Sequence, residues 1–173
     1  MAHVFDVARY ILERQGPVTT LKLQKLVYYV QAWAIASGSP LFSDAIKAWG
    51  QGPVVPALYY AHKGRRRVTL DDMGARPSAP LTEQQRAHID SVLAYYGNLP
   101  PAYLSKLTHF ESPWREARAE GEKNGQDSPP IPVTAIRAFY SGRTPEDLEA
   151  NYQMTVARRV MQQHKKCLAR LAL

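Results

Sequence analysis

The sequence predicts a mainly α protein: a compact multi-helix single domain with a minor two-stranded β-hairpin and a long C-terminal helix. Three observations carry that expectation. Apolar residues recur at three- and four-residue spacing along most of the chain. Gly and Pro punctuate the ends of those segments more than their interiors. Only residues 44–51 and 66–70 read as strands. At 173 residues and 19.5 kDa the chain fits one domain plus a terminal extension, enough to bury a core without covalent staples.

Residues 2–15 form the first expected helix, with Val4, Val7, Ala8, Ile11 and Leu12 on one face and Gly16-Pro17 as its stop. Thr19 or Thr20 caps a second helix to about Ser37 by accepting from an orphan backbone N–H. Its wide stripe of Leu23, Leu26, Val27, Val30, Trp33 and Ala34 places it in the core, and Gly38 ends it. Ser39-Pro40 is turn chemistry. Ile46, Ala48 and Trp49 make the first strand, which Gly52-Pro53 ends. Pro56 opens a helix to about Lys63, with Pro where a missing N–H costs nothing. After Gly64, Val68, Thr69 and Leu70 make a second strand, expected to pair with the first.

Residues 71–80, with Gly74, Pro77 and Pro80, read as a loop. Thr82 and Gln85 are a capping box for a helix with Ile89, Val92, Leu93 and Tyr96 inward. Pro101 starts a helix through Leu104 and Leu107, and Ser112-Pro113 starts another over 114–118. Residues 121–130 read as a mobile polar loop and 131–140 as a short helix. The last helix begins at Thr144-Pro145, with Glu146 and Asp147 facing its positive dipole end. Leu148, Tyr152, Val156, Val160, Cys167 and Leu171 mark one side of it, and Arg158, Arg159, Lys165 and Lys166 the other. The expected division is residues 1–143 as the domain and 144–173 as an amphipathic extension that either packs on the domain and frays at Leu171 or uses its last turns to bind another chain, a partner protein or a second copy.

Composition excludes several classes. One cysteine, Cys167, rules out an internal disulfide framework and Cys-based zinc modules. No apolar run is long enough for a membrane span, and the opening residues lack the pattern of a secretory signal, so a soluble, cytoplasmic protein is expected. There is no phosphate-binding glycine loop, no Gly-x-Ser-x-Gly and no His-Glu-x-x-His. No cofactor and no metal are implied, and the chain is expected not to be an enzyme. The net charge of +7 and pI of 9.6 point to a partner with a negative surface.

Three features are candidates for contact. The run Lys63, Arg65, Arg66 and Arg67 either contacts phosphates or is a solvated turn guarding an edge strand. Tyr28, Tyr59 and Tyr60 belong to Tyr-Tyr pairs, which expose one ring for an interface or line the edge of the core. His109 and Glu111 read first as a junction that satisfies backbone groups between two helices, then as a partner contact, and last as a catalytic pair.

The segment Leu21-Lys22-Leu23-Gln24-Lys25-Leu26 resembles the signature helix of the Panacea domain. Ala48-Trp49-Gly50-Gln51-Gly52-Pro53-Val54-Val55-Pro56 is similar to its second signature, and Thr108-His109-Phe110-Glu111-Ser112-Pro113-Trp114 to its third. The resemblance spans about residues 2–141 with all motifs in order. The family includes the SocA- and GepA-type antitoxins of bacteria and phages, encoded beside a toxin that they bind directly. Its members are paired with chemically diverse toxins, and one branch is an adaptor that hands its toxin to an ATP-dependent protease. Gly50-Gln51 replaces a Lys-Tyr pair common in the family, so no aromatic role is carried over there. The resemblance implies a cognate protein toxin as partner, with the charge adding that its contact face is acidic. Leu23, Gln24, Trp49, Gly52, Pro53, Pro56, His109, Glu111, Pro113 and Trp114 are expected to determine the fold, which leaves exposed residues between the motifs for the toxin. A nucleic-acid-binding regulator is the rival class, disfavoured because the candidate recognition helix carries only Arg115 and Arg118.

Overall fold

The computed structural model describes residues 1–74 and 80–171, side chains at 164 and 166–171 excepted. Local capping chemistry sets the first elements. Helix α1 (Val4–Gln15) opens on His3, whose ring accepts from the Phe5 N–H while the Asp6 carboxylate accepts from the His3 N–H. Gly16, at φ 67°, closes it. A two-residue strand β1 (Val18–Thr19) leads into α2 (Thr20–Ala36), where the Thr19 hydroxyl accepts from the Lys22 N–H.

Helix α2 is the axis of the fold. Residues 23–32 are buried without interruption, so this helix is apolar around most of its circumference. Helices α4 (Glu83–Tyr96), α5 (Pro101–Phe110) and α7 (Val133–Tyr140) pack against it together with α1. Tyr28 and Tyr29 are both buried, although neighbouring helical positions usually point different ways. Tyr29 stacks on Tyr96 at 4.0 Å, and Tyr28 meets Tyr140 edge-on.

The strand pairing differs from expectation. Strand β2 (Lys47–Trp49) pairs with β3 (Gly52–Val54) across the Gly50-Gln51 turn. Residues 52–54 therefore continue the hairpin rather than end it. Pro53 fits opposite Ala48 because a two-stranded ribbon leaves an edge that needs no N–H. Helix α3 (Pro56–Ala61) follows, two residues shorter than expected. Strand β4 (Arg67–Val68) pairs with β1, not with the earlier strand. Residues 71–73 form a single 3-10 turn that buries Met73. Pro77 of the expected loop lies outside the described residues.

Helix α6 (Ser112–Lys123) runs past Gly121. A Cβ there would lie 2.5 Å from Pro129 Cγ, so the glycine lets the following loop close onto the helix. That loop is tied down rather than loose. The Ala48 N–H donates to Pro129 O and the Ile131 N–H to Ile46 O, both at 2.8 Å. The chain forms two compact units, Met1–Ser141 and Gly142–Leu173. The second is essentially α8 (Pro145–Leu171), capped by reciprocal hydrogen bonds between Thr144 and Asp147. Of its expected apolar side, Cys167 and Leu171 lie outside the described side chains, as does Lys166 opposite. Among the described residues no helix is long and apolar enough to cross a membrane.

Candidate functional site

Three side chains of α2 reach out of the core and hold the backbone that surrounds it. Gln31 accepts from the Leu41 and Phe42 N–H groups and donates to Phe42 O. Gln24 accepts from the Val55 N–H at 2.9 Å, and its amide nitrogen lies 3.2 Å from His62 Nε2. The amide oxygen is thus committed to Val55, so the amide NH₂ donates to His62. Burial lowers the His62 pKa, in keeping with the neutral ring that accepts. Lys25, fully buried, donates from Nζ to Pro53 O at 2.9 Å. Burial without a carboxylate partner brings its pKa down to about 7.

The α5–α6 corner grips the same hairpin from the other side. Ser105 donates to Gln51 O, and the Trp114 indole donates to Trp49 O at 2.8 Å. His109 stacks on Trp114 with ring centroids 4.0 Å apart. Its pKa is lowered, first by burial and then by the charge on Lys25. Glu111 is buried and accepts from Tyr29 at 2.9 Å and Tyr140 at 2.5 Å. Desolvation outweighs those two hydrogen bonds and raises its pKa to about 8. Pro56 and Pro113 sit in the first turns of α3 and α6, and Leu23 is core.

Most of the fold-motif positions, Gln24, Trp49, Gly52, Pro53, His109 and Trp114 among them, meet at the contact between α2, the hairpin and the α5–α6 corner. A groove of about 340 Å³ opens there, lined by Gln24, Lys25, Trp49, Gln51, Val54 and Tyr59 among others. The Nε1 of Trp49 and the Nε2 of His109 are buried without a hydrogen-bond partner. Among the described residues no group of three or more His, Cys, Asp or Glu is placed to hold a metal ion.

Of the contact candidates, Tyr28 is ruled out as a surface residue: its ring is fully buried against Tyr140 and Tyr29. Tyr59 is half-buried, lines the groove and meets Trp49 edge-on at 4.8 Å. Tyr60 beside it is 64% exposed. Lys63, Arg65, Arg66 and Arg67 are exposed on the turn that follows. Two of them serve the fold: Arg65 pairs with Asp72 at 2.8 Å, and Arg67 donates to Pro17 O. Lys63 and Arg66 face solvent. Arg158, Arg159 and Lys165 are exposed on α8, in the other unit.

Sequence reasoning missed Lys25 and Gln31 as individual residues. The available signal was a lysine inside Leu23-Gln24-Lys25-Leu26, on a helix whose apolar stripe leaves little room for a solvated face. Residues 23–115 match the family model described as antitoxin SocA-like, Panacea domain. No curated protein and no solved structure matches the chain.

Proposed function

Because the chain belongs to the SocA-like antitoxin family of Panacea domains, we propose that it neutralises a cognate protein toxin by binding it directly, without catalysis, in the cytoplasm. The family match over residues 23–115 carries this reading. The motif side chains support it by what they leave over. Gln24, Lys25, Glu111 and Trp114 are engaged inside the unit with Val55, Pro53, Tyr29 and Trp49. A scaffold committed in this way leaves partner choice to surface residues between the motifs. The surface of α3 and the turn after it fits that role: Tyr59 and Tyr60 supply aromatic area, and Lys63 and Arg66 supply charge for an acidic face.

The nucleic-acid reading is weaker for a geometric reason. Arg118 donates to the carbonyls of Ala48 and Asp127, and Arg115 to that of Phe110, so both arginines of α6 are occupied with backbone.

The test is co-expression with the product of the adjacent open reading frame. The wild-type chain restores growth against that toxin. Tyr60→Ala combined with Lys63→Glu and Arg66→Glu keeps the melting temperature and loses rescue. Rescue undiminished by the triple variant would remove this surface from the account.

A further inference from the structure

We propose that α8 pairs with α8 of a second copy of this chain, in antiparallel orientation. This inference stands apart from the antitoxin reading and rests on how charge and apolar residues are laid out along one helix. Between Pro145 and Leu171 every acidic residue, Glu146, Asp147 and Glu149, precedes residue 150. Every basic one, Arg158, Arg159, Lys165, Lys166 and Arg170, follows residue 157. Two such helices side by side in parallel set like charge against like. In antiparallel orientation each acidic half lies along the basic half of the other.

The helix dipole accounts for only part of this layout. It favours acids in the first turn and bases in the last, and its effect fades within one turn. Arg158 and Arg159 stand about three turns before Leu171, far beyond that reach.

The apolar pattern has the matching symmetry. Met154, Val156, Val160 and Met161 are all exposed. Val156 and Val160 lie nearly opposite the two methionines around the helix, so the methionines alone mark the pairing face. Met154 and Met161 straddle a centre half a residue from position 158, the midpoint of Pro145–Leu171, and their seven-residue spacing keeps them on one face. A twofold axis near Ala157 brings Met154 of one copy beside Met161 of the other. A self-complementary patch of this kind is what an isologous interface requires. Polarizable, unbranched methionine suits a seam between two identical helices. An acidic partner of another kind would use the basic half alone and would leave the acidic half and the symmetric methionine pair unexplained.

Sedimentation equilibrium of the full-length chain over a concentration series tests the proposal. The wild type is expected to reach twice the chain mass. Glu146→Lys with Glu149→Lys, and separately Arg158→Glu, Arg159→Glu and Lys165→Glu, are each expected to remain at the single-chain mass. Asp147 is kept because it caps the helix. Mixing the two variants restores the doubled mass, since each then meets its opposite charge. Circular dichroism confirms that each variant is helical, and Met154→Ser with Met161→Ser gives a second, charge-independent route to the single-chain mass. For orientation, a spin label at Ala150→Cys in a Cys167→Ala background is expected about 20 Å from its mate, against about 10 Å in a parallel pair. A wild type that stays at the single-chain mass, a dimer indifferent to the charge reversals, or the shorter label distance would overturn the proposal.

Discussion

The amine of Lys25 occupies the space that a side chain at position 52 would need: a Cβ on Gly52 would lie 2.7 Å from Lys25 Nζ and 2.8 Å from Thr108 Oγ1. The glycine also sits at φ 107°, a conformation other residues adopt only with strain. Gly52→Ala is therefore expected to cost about 2–4 kcal/mol, combining backbone strain with overpacking. Urea melts check it. The double variant with Lys25→Ala should lose less than the sum of the single losses, because the shorter side chain at position 25 removes the larger part of the clash, the contact with Thr108 remaining.

Glu111 gives the fold an unusual response to pH. Its folded pKa of about 8 lies above the ordinary value of 4.5. Below pH 4.5 both folded and unfolded states hold the proton, and the contribution is at its most favourable. Between 4.5 and 8 the unfolded state releases the proton while the folded state keeps it, so stability falls as pH rises. Glu111→Gln keeps the shape and one of the two acceptor oxygens but cannot ionise. It should gain on the wild type steadily from pH 5 to pH 8, by a few kcal/mol in all, as read from paired denaturation curves.

Lys25 acts in the opposite sense. Its folded pKa of about 7 lies below the ordinary 10.5. The folded amine releases its proton first, so stability is lower at pH 7 and recovers toward pH 10.5. In Lys25→Met that rise between pH 7 and 10 should disappear. The comparison of slopes, rather than of absolute stabilities, isolates the ionisation from the lost hydrogen bond to Pro53.

Trp49 separates scaffold from contact. Its ring packs on Tyr59 and its carbonyl accepts from Trp114, while its side chain is half-buried. Trp49→Ala is expected to cost about 2–4 kcal/mol, the lower part of the core range. A variant of normal stability that no longer neutralises toxin would instead make Trp49 a contact residue.

How much of this was readable beforehand depended on range. Capping is local, so Thr19, Thr82 and the Pro-initiated helices were legible from a few residues each. Pairing of β1 with β4 brings Val18 to Val68, and nothing in either dipeptide announces the other. The pairing of β2 with β3 was hidden because Gly52-Pro53 looks like a stop until a ribbon edge accommodates the proline. The tie between residues 129–131 and β2 is likewise long-range, and a polar loop gives no sign of it. At the site, the motif residues were legible as a set, but the role of Lys25 was not. A lysine reads as exposed unless its helix is known to be surrounded. Tyr28 failed for the same reason, since the ring of α4, α5, α7 and α1 around α2 buries both members of its pair.

The central claim, direct binding of a toxin through the α3 surface, is met most directly by titrating the purified chain with the purified product of the adjacent gene in a calorimeter, at low and high salt. The account predicts a saturable complex with fixed stoichiometry, an affinity that falls as salt rises, and a loss of at least tenfold for the Tyr60, Lys63 and Arg66 triple variant. A chain that restores growth in cells yet gives no heat of binding and no complex with that protein would contradict it.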